Sequence, residues 1–229
     1  MRRIIIILNI FILIIVFNKC ELIDGTPGNG DIGSWENYTL NRLPYVRQNG
    51  YQDIQFSNSK TGTSEFLILS ASHGNPPADQ IKYPAVVRGG GWNKIVYAGN
   101  DDKSTEIWFR QITSANKNIP GEIDAKNAAA KLSILAYNGI LTPGNVAEKN
   151  QISKAKISIT NSGTGPFLVV ASSDNGGESD IANIQYGYKS DGVTPGDDMT
   201  FIYLTNNKSF TDSSVNIRGA IASIQLNIN

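Results

Sequence analysis

Histidine and cysteine, the side chains that most often carry nucleophilic and metal chemistry, occur once each in this 229-residue chain, as His73 and Cys20. A serine triad would need His73 as its base. Yet His73 sits in His-Gly-Asn-Pro-Pro, a turn by composition, and the chain has no Gly-x-Ser-x-Gly elbow. A tight zinc site is excluded too, because it needs three or four nitrogen or sulfur ligands. Carboxylates are more plentiful, with 20 aspartates and glutamates. Glycosidase chemistry needs two of them about 5 to 10 Å apart. Glu106 on an expected strand is a candidate for one, but no partner can be named, and an isolated strand glutamate is expected to face solvent.

Hard oxygen ligands clustered on loops are what Ca²⁺ requires. Asp174, Asn175, Glu178 and Asp180 lie within one glycine-rich stretch, and Asp191, Asp197 and Asp198 within another. The first set is the candidate calcium site, although EF-hand spacing is absent and aspartate is also a routine turn former. No other cofactor is expected. Sugar binding asks for exposed rings and a few amides. Trp35, Tyr38, Tyr45 and Tyr51 in the polar N-terminal part, with Tyr186 and Tyr188, are the candidate ligand-binding rings, whereas Trp92 and Trp108 are expected in the core.

Short segments rich in β-branched and aromatic residues must position these groups. They alternate with Gly, Asn, Asp and Pro clusters, the pattern of an all-β, two-sheet antiparallel sandwich. Strands are expected over 53–57, 65–72, 92–98, 105–112, 156–160, 166–173, 184–188, 200–205 and 222–228. The alanines after Asp124 predict a short helix or turn over 124–135 running into a strand.

The chain also repeats itself. FLILSASHGNPPAD from Phe66 aligns without gaps on FLVVASSDNGGESD from Phe167. EIWFRQI from Glu106 corresponds to MTFIYLT from Met199, and AKLSILAYN from Ala130 to GAIASIQLN from Gly219. The same order of strands therefore occurs twice, and two facing halves would bury both apolar sets.

The succession FLILSAS, GGGWNKIVYAG, STEIWFRQIT, AAAKLSILAYNGI, GPFLVVASS and IASIQLNI, over about residues 64–228, resembles a β-sandwich module of bacterial exported proteins and phage tail fibres. In such modules a Gly-Trp step precedes an aromatic strand and a later strand ends in a Tyr-x-Gly turn, here Tyr137 to Gly139. The resemblance implies a jelly-roll-like fold and use at a surface or in a fibre, with no catalytic signature.

Residues 1–20 read as a signal segment. Arg2 and Arg3 precede an apolar run from Ile4 to Phe17, about 21 Å long as a helix and short of a roughly 30 Å hydrocarbon core. Cys20 is either the lipid-modified residue of a lipoprotein or is removed by cleavage further on; Lys19 before it is unlike the small residues of lipoprotein signals. With no second cysteine there is no internal disulfide. Residues 21–34 form a glycine-rich linker, and 35–229 a single sandwich domain. Twenty basic and twenty acidic residues give zero formal charge without a run of like charges. That argues against nucleic acid, and against a membrane except through a signal or lipid anchor. The expected protein is a secreted or outer-surface, non-enzymatic sandwich in adhesion or carbohydrate binding, with a glycan or cell-surface ligand as partner. The alternatives are a self-assembling fibre or surface-layer subunit, or a polysaccharide-active enzyme.

Overall fold

The computed structural model describes residues 38–42, 51–54, 60–72, 85–99, 103–119, 121–124, 129–173, 187–189 and 199–228. They form thirteen strands and no helix: β1 (Tyr38–Arg42), β2 (Gln52–Ile54), β3 (Ser64–Ser72), β4 (Val86–Gly89), β5 (Asn93–Gly99), β6 (Lys103–Gln111), β7 (Gly121–Asp124), β8 (Ala129–Tyr137), β9 (Leu141–Thr160), β10 (Phe167–Ser173), β11 (Gly187–Lys189), β12 (Met199–Thr205) and β13 (Ser209–Ile228). Each of the nine expected segments overlaps a strand, with 55–57 and 184–186 lying outside the described residues. The expected helix does not form over 129–135, where alternation prevails. Leu135 and Tyr137 of β8 face one core while Leu132 and Ile134 face another.

One five-stranded antiparallel sheet has the order β1-β8-β3-β6-β5 and the other β11-β12-β10-β13-β9. The chain completes the first before it starts the second. Each half therefore builds one sheet by one rule: its first strand pairs with its last, its second is central, and its third and fourth are adjacent on the far side. Between the sheets lies an apolar core that includes Phe66, Ile68, Ile107, Leu135, Leu168, Val170, Ile202 and Ile224. The ladders make the Phe66–Leu135 pair of the first sheet equivalent to Leu168–Ile224 of the second, and Ile68–Ile107 to Val170–Ile202. The sequence echo instead sets Phe66 against Phe167. That is one residue out, and a slip of one exchanges inner and outer faces.

Both central strands, β3 and β10, are buried on both faces, which explains their unbroken apolar runs. Each sheet's outer face therefore needs a cover. A three-stranded sheet, β2-β7-β4, covers the first, enclosing Leu67, Leu69, Val87, Trp92, Trp108, Ile123, Leu132 and Ile134. The second sheet is covered by its own longest strands. Residues 141–151 of β9 pair with 219–228 of β13 within the sheet, while 155–160 pair with 209–217. Register shifts between Asp212 and Asn216 and between Ile217 and Gly219 bend the ladder. The bent part returns as a two-stranded ribbon over the outer face. There Ile157, Ile159 and Ile217 meet Val169, Ala171, Phe201 and Tyr203.

Candidate functional site

The outer face of the first sheet holds two buried carboxylates, and both are tied to β4. Glu65 of β3 stands opposite Arg110 of β6. Its Oε2 accepts from the guanidinium at 2.7 Å, and both side chains are almost wholly buried. Arg110 also donates to the Gly90 carbonyl at 3.1 Å and lies 4.5 Å from the Trp92 ring centre. Four residues along the same face, Glu106 stands opposite Leu69. Its Oε1 accepts from the Ala85 amide at 2.6 Å and its Oε2 pairs with Lys94 Nζ at 2.8 Å. Lys94 in turn donates to the Ala85 carbonyl at 3.2 Å and lies 4.7 Å from the Trp108 ring centre.

The two constellations share a design: a buried glutamate, a cation on it, an indole under the cation, and a backbone group at one end of the segment Ala85–Gly90. They clasp β4, and with it the third sheet, at both ends. The Gly90 end depends on three successive left-handed glycines, Gly89, Gly90 and Gly91, with φ of +72°, +58° and +76°. Other residues avoid that conformation. Burial raises both carboxyls above the ordinary glutamate range, against the lowering effect of Arg110 on Glu65 and of Lys94, the Ala85 amide and Trp108 on Glu106.

Glu106 is therefore not solvent-facing as expected. Nor do the two acids form a hydrolytic pair. Four strand residues separate their stations by about 14 Å, beyond the 5 to 10 Å range, and each is occupied by its own cation. Sequence reasoning missed Glu65, Lys94 and Arg110. The available signal was charge of opposite sign inside two apolar strands, SEFLIL and IWFRQI.

Of the expected ring residues, Tyr38 is packed between the sheets, its ring centre 4.9 Å from that of Tyr137, so it presents no face to a ligand. Burial pushes its phenol well above the usual range. Tyr51 is exposed, at 41%. The Arg88 guanidinium lies 3.5 Å from its ring centre and is ion-paired with Glu122 across the β4–β7 ladder. Tyr188 lies on the short edge strand β11. Trp92 and Trp108 are buried as expected. Trp35, Tyr45, Tyr186, the candidate calcium ligands Asp174, Asn175, Glu178 and Asp180, and Cys20 lie outside the described residues. Among the described residues no group of three or more His, Cys, Asp or Glu is placed to hold a metal.

One end of the sandwich gathers strand ends from both halves. Ser72 of β3 is level with Lys103 and Ala129, and Ser173 of β10 with Met199 and Gly219. Ser172 donates to Ser70 across the two sheets at 2.6 Å and is hydrogen-bonded to Thr105, which closes the apolar core with a layer of hydroxyls. The connections that leave Ser72 and Ser173 and enter Lys103, Ala129 and Met199 all attach at this end.

No family model, curated protein or solved structure matches the chain.

Proposed function

We propose that the chain is an exported or surface-attached, non-enzymatic β-sandwich that binds a carbohydrate through the end where these connections attach, and so acts in adhesion. The carrying observation is the alignment of Ser72, Lys103, Ala129, Ser173 and Met199 at one end of a rigid two-sheet frame. Connections on a scaffold are where binding groups concentrate. The sequence after Ser173 and before Met199 supplies acids and amides suited to a glycan or to Ca²⁺. The signal-like residues 1–20 support export, and the resemblance to exported and tail-fibre modules supports surface use. The buried glutamates are held by cations in structural roles, which speaks for binding over hydrolysis on this frame.

The test is the purified secreted chain on a broad glycan array, with and without calcium. Binding that weakens in an Asp174→Asn, Asp180→Asn variant or in Tyr45→Ala supports the reading. A chain that binds no glycan under either condition and runs as a large oligomer is an assembly subunit instead.

A further inference from the structure

The returning ribbon carries an excess of positive charge. Over 152–160 and 209–218 the cations are Lys154, Lys156 and Arg218, and the one acid is Asp212. Asp212 is engaged from the sheet side, accepting from Tyr203 Oη at 3.0 Å. Lys149, on the preceding part of β9, reaches onto the ribbon and donates to the Ser158 carbonyl at 3.0 Å. Residues 152–156 are all exposed, and Ile157 and Ile159 then alternate inward. That sets Lys154, Lys156, Ser158 and Thr160 on the outer side. Across the ladder, Thr160 shares a hydrogen bond with Ser209 at 3.2 Å, and Thr211 donates to Ser158 at 3.4 Å. The outer surface is thus a strip with lysines towards the bend and hydroxyls beyond it. No run of like charges marks it in the sequence, because its lysines lie two to seven residues apart with uncharged residues between them.

We propose that this strip binds a linear anionic polysaccharide, one bearing carboxylate, sulfate or phosphate groups on its sugars. The inference rests on the reading of the chain as a glycan binder and adds a second surface and a ligand charge to it. Cations in line with hydroxyls complement an acidic sugar chain, whose anions need point charges and whose hydroxyls need partners of both kinds. Nucleic acid fits less well. Bases need exposed rings to stack on, and the aromatics here, Tyr203 and Phe210, turn to each other with centres 4.6 Å apart and pack on the sheet core. A lipid surface is also disfavoured. Ile152 at the bend is 78% exposed, but stable anchorage requires more apolar area than one side chain offers.

The experiment uses the full chain, with dextran sulfate, uncharged dextran and phosphatidylglycerol vesicles as probes. The wild type should bind dextran sulfate and not dextran. Affinity should fall at least about tenfold in Lys149→Gln, Lys154→Gln, Lys156→Gln, and should fall again as salt rises, as screening requires. All three side chains are exposed, so the variant's melting temperature should match the wild type. Unchanged affinity in the triple variant overturns the proposal. So does binding to vesicles alone that is lost in Ile152→Ser, which makes the bend a lipid contact. If the triple variant keeps its dextran sulfate affinity and also binds glycans on the array as the wild type does, the strip fails and the sandwich-end reading stands. If no glycan or dextran sulfate binds the wild type, both fail.

Discussion

The first sheet is covered by a separate three-stranded sheet clasped through two buried carboxylate–cation pairs, and the second by the returning half of its own longest strands, seated through isoleucines. Both solutions answer one requirement, since β3 and β10 each present apolar side chains on two faces. They differ in kind. A clasp of buried charges is exacting: desolvation is offset only while every partner is in place. Isoleucine contacts degrade gradually with area and cavity volume. The first cover is therefore the brittle one and the second the tolerant one.

The largest effect should come from breaking the clasp at Arg110. Glu65→Leu removes the acceptor altogether and leaves the guanidinium buried beside Gly90 and Trp92, and should cost about 3–5 kcal/mol by urea unfolding. Glu65→Leu combined with Arg110→Leu should recover most of that loss. A double variant as unstable as the single would show that the cover is held by packing and that charge is incidental. On the other cover, Ile157→Ala should cost roughly 2–5 kcal/mol. Amide exchange should rise over 155–160 and 209–217 and stay unchanged in the first half. Exchange rising evenly through both sheets would erase the distinction.

These contrasts explain what could be read in advance. Strands with one buried face, such as the end of β13, announce themselves by alternation. Central strands buried on both faces announce their existence but not their facing, because FLIL and FLVV have no period of two. That is why the echo between halves found the right strand order and missed the register of the central strands by one residue. Residues 141–155 of β9 failed for the opposite reason. Their side chains are largely exposed on an edge, so they read as loop. β4 and β7 have four residues each, too few to show a pattern. As for the candidate site, opposite charges at Glu65 and Arg110 were visible, but their pairing depends on a ladder joining residues 45 apart. Whether a strand glutamate meets water or a cation is decided by which sheet covers it, and no local pattern encodes that.

A third intervention tests the hinge of the self-made cover. Gly219 lies where β9, β10 and β13 meet, and a Cβ there would stand 1.8 Å from the Ser172 carbonyl oxygen. Gly219→Ala must displace backbone and should cost roughly 1–3 kcal/mol by overpacking. Because Ser172 also binds Ser70, the disturbance should reach the hydroxyl layer between the sheets. A melting temperature equal to wild type would mean that the bend is far softer than the ladder implies.

The smallest effects separate the covers by pH. Burial raises Glu65 and Glu106, so the folded chain holds those protons more tightly than the unfolded chain does. Their contribution to stability is full below the ordinary glutamate value of about 4.3, and is lost as pH rises through the raised folded values. On the other cover, burial and the neighbouring Asp212 raise Tyr203. Its contribution is full below about pH 10 and is lost only as pH climbs through a higher folded value. Both signs are alike, but the windows do not overlap. Glu106→Gln should flatten the change in unfolding midpoint across the lower window and leave the alkaline one untouched. Tyr203→Phe should do the reverse, with a loss of about 0.5–1.5 kcal/mol at neutral pH for the hydrogen bond to Asp212. If Tyr203→Phe altered the lower window as well, the two covers would be coupled through the inter-sheet core, and the sandwich would respond to protons as one body.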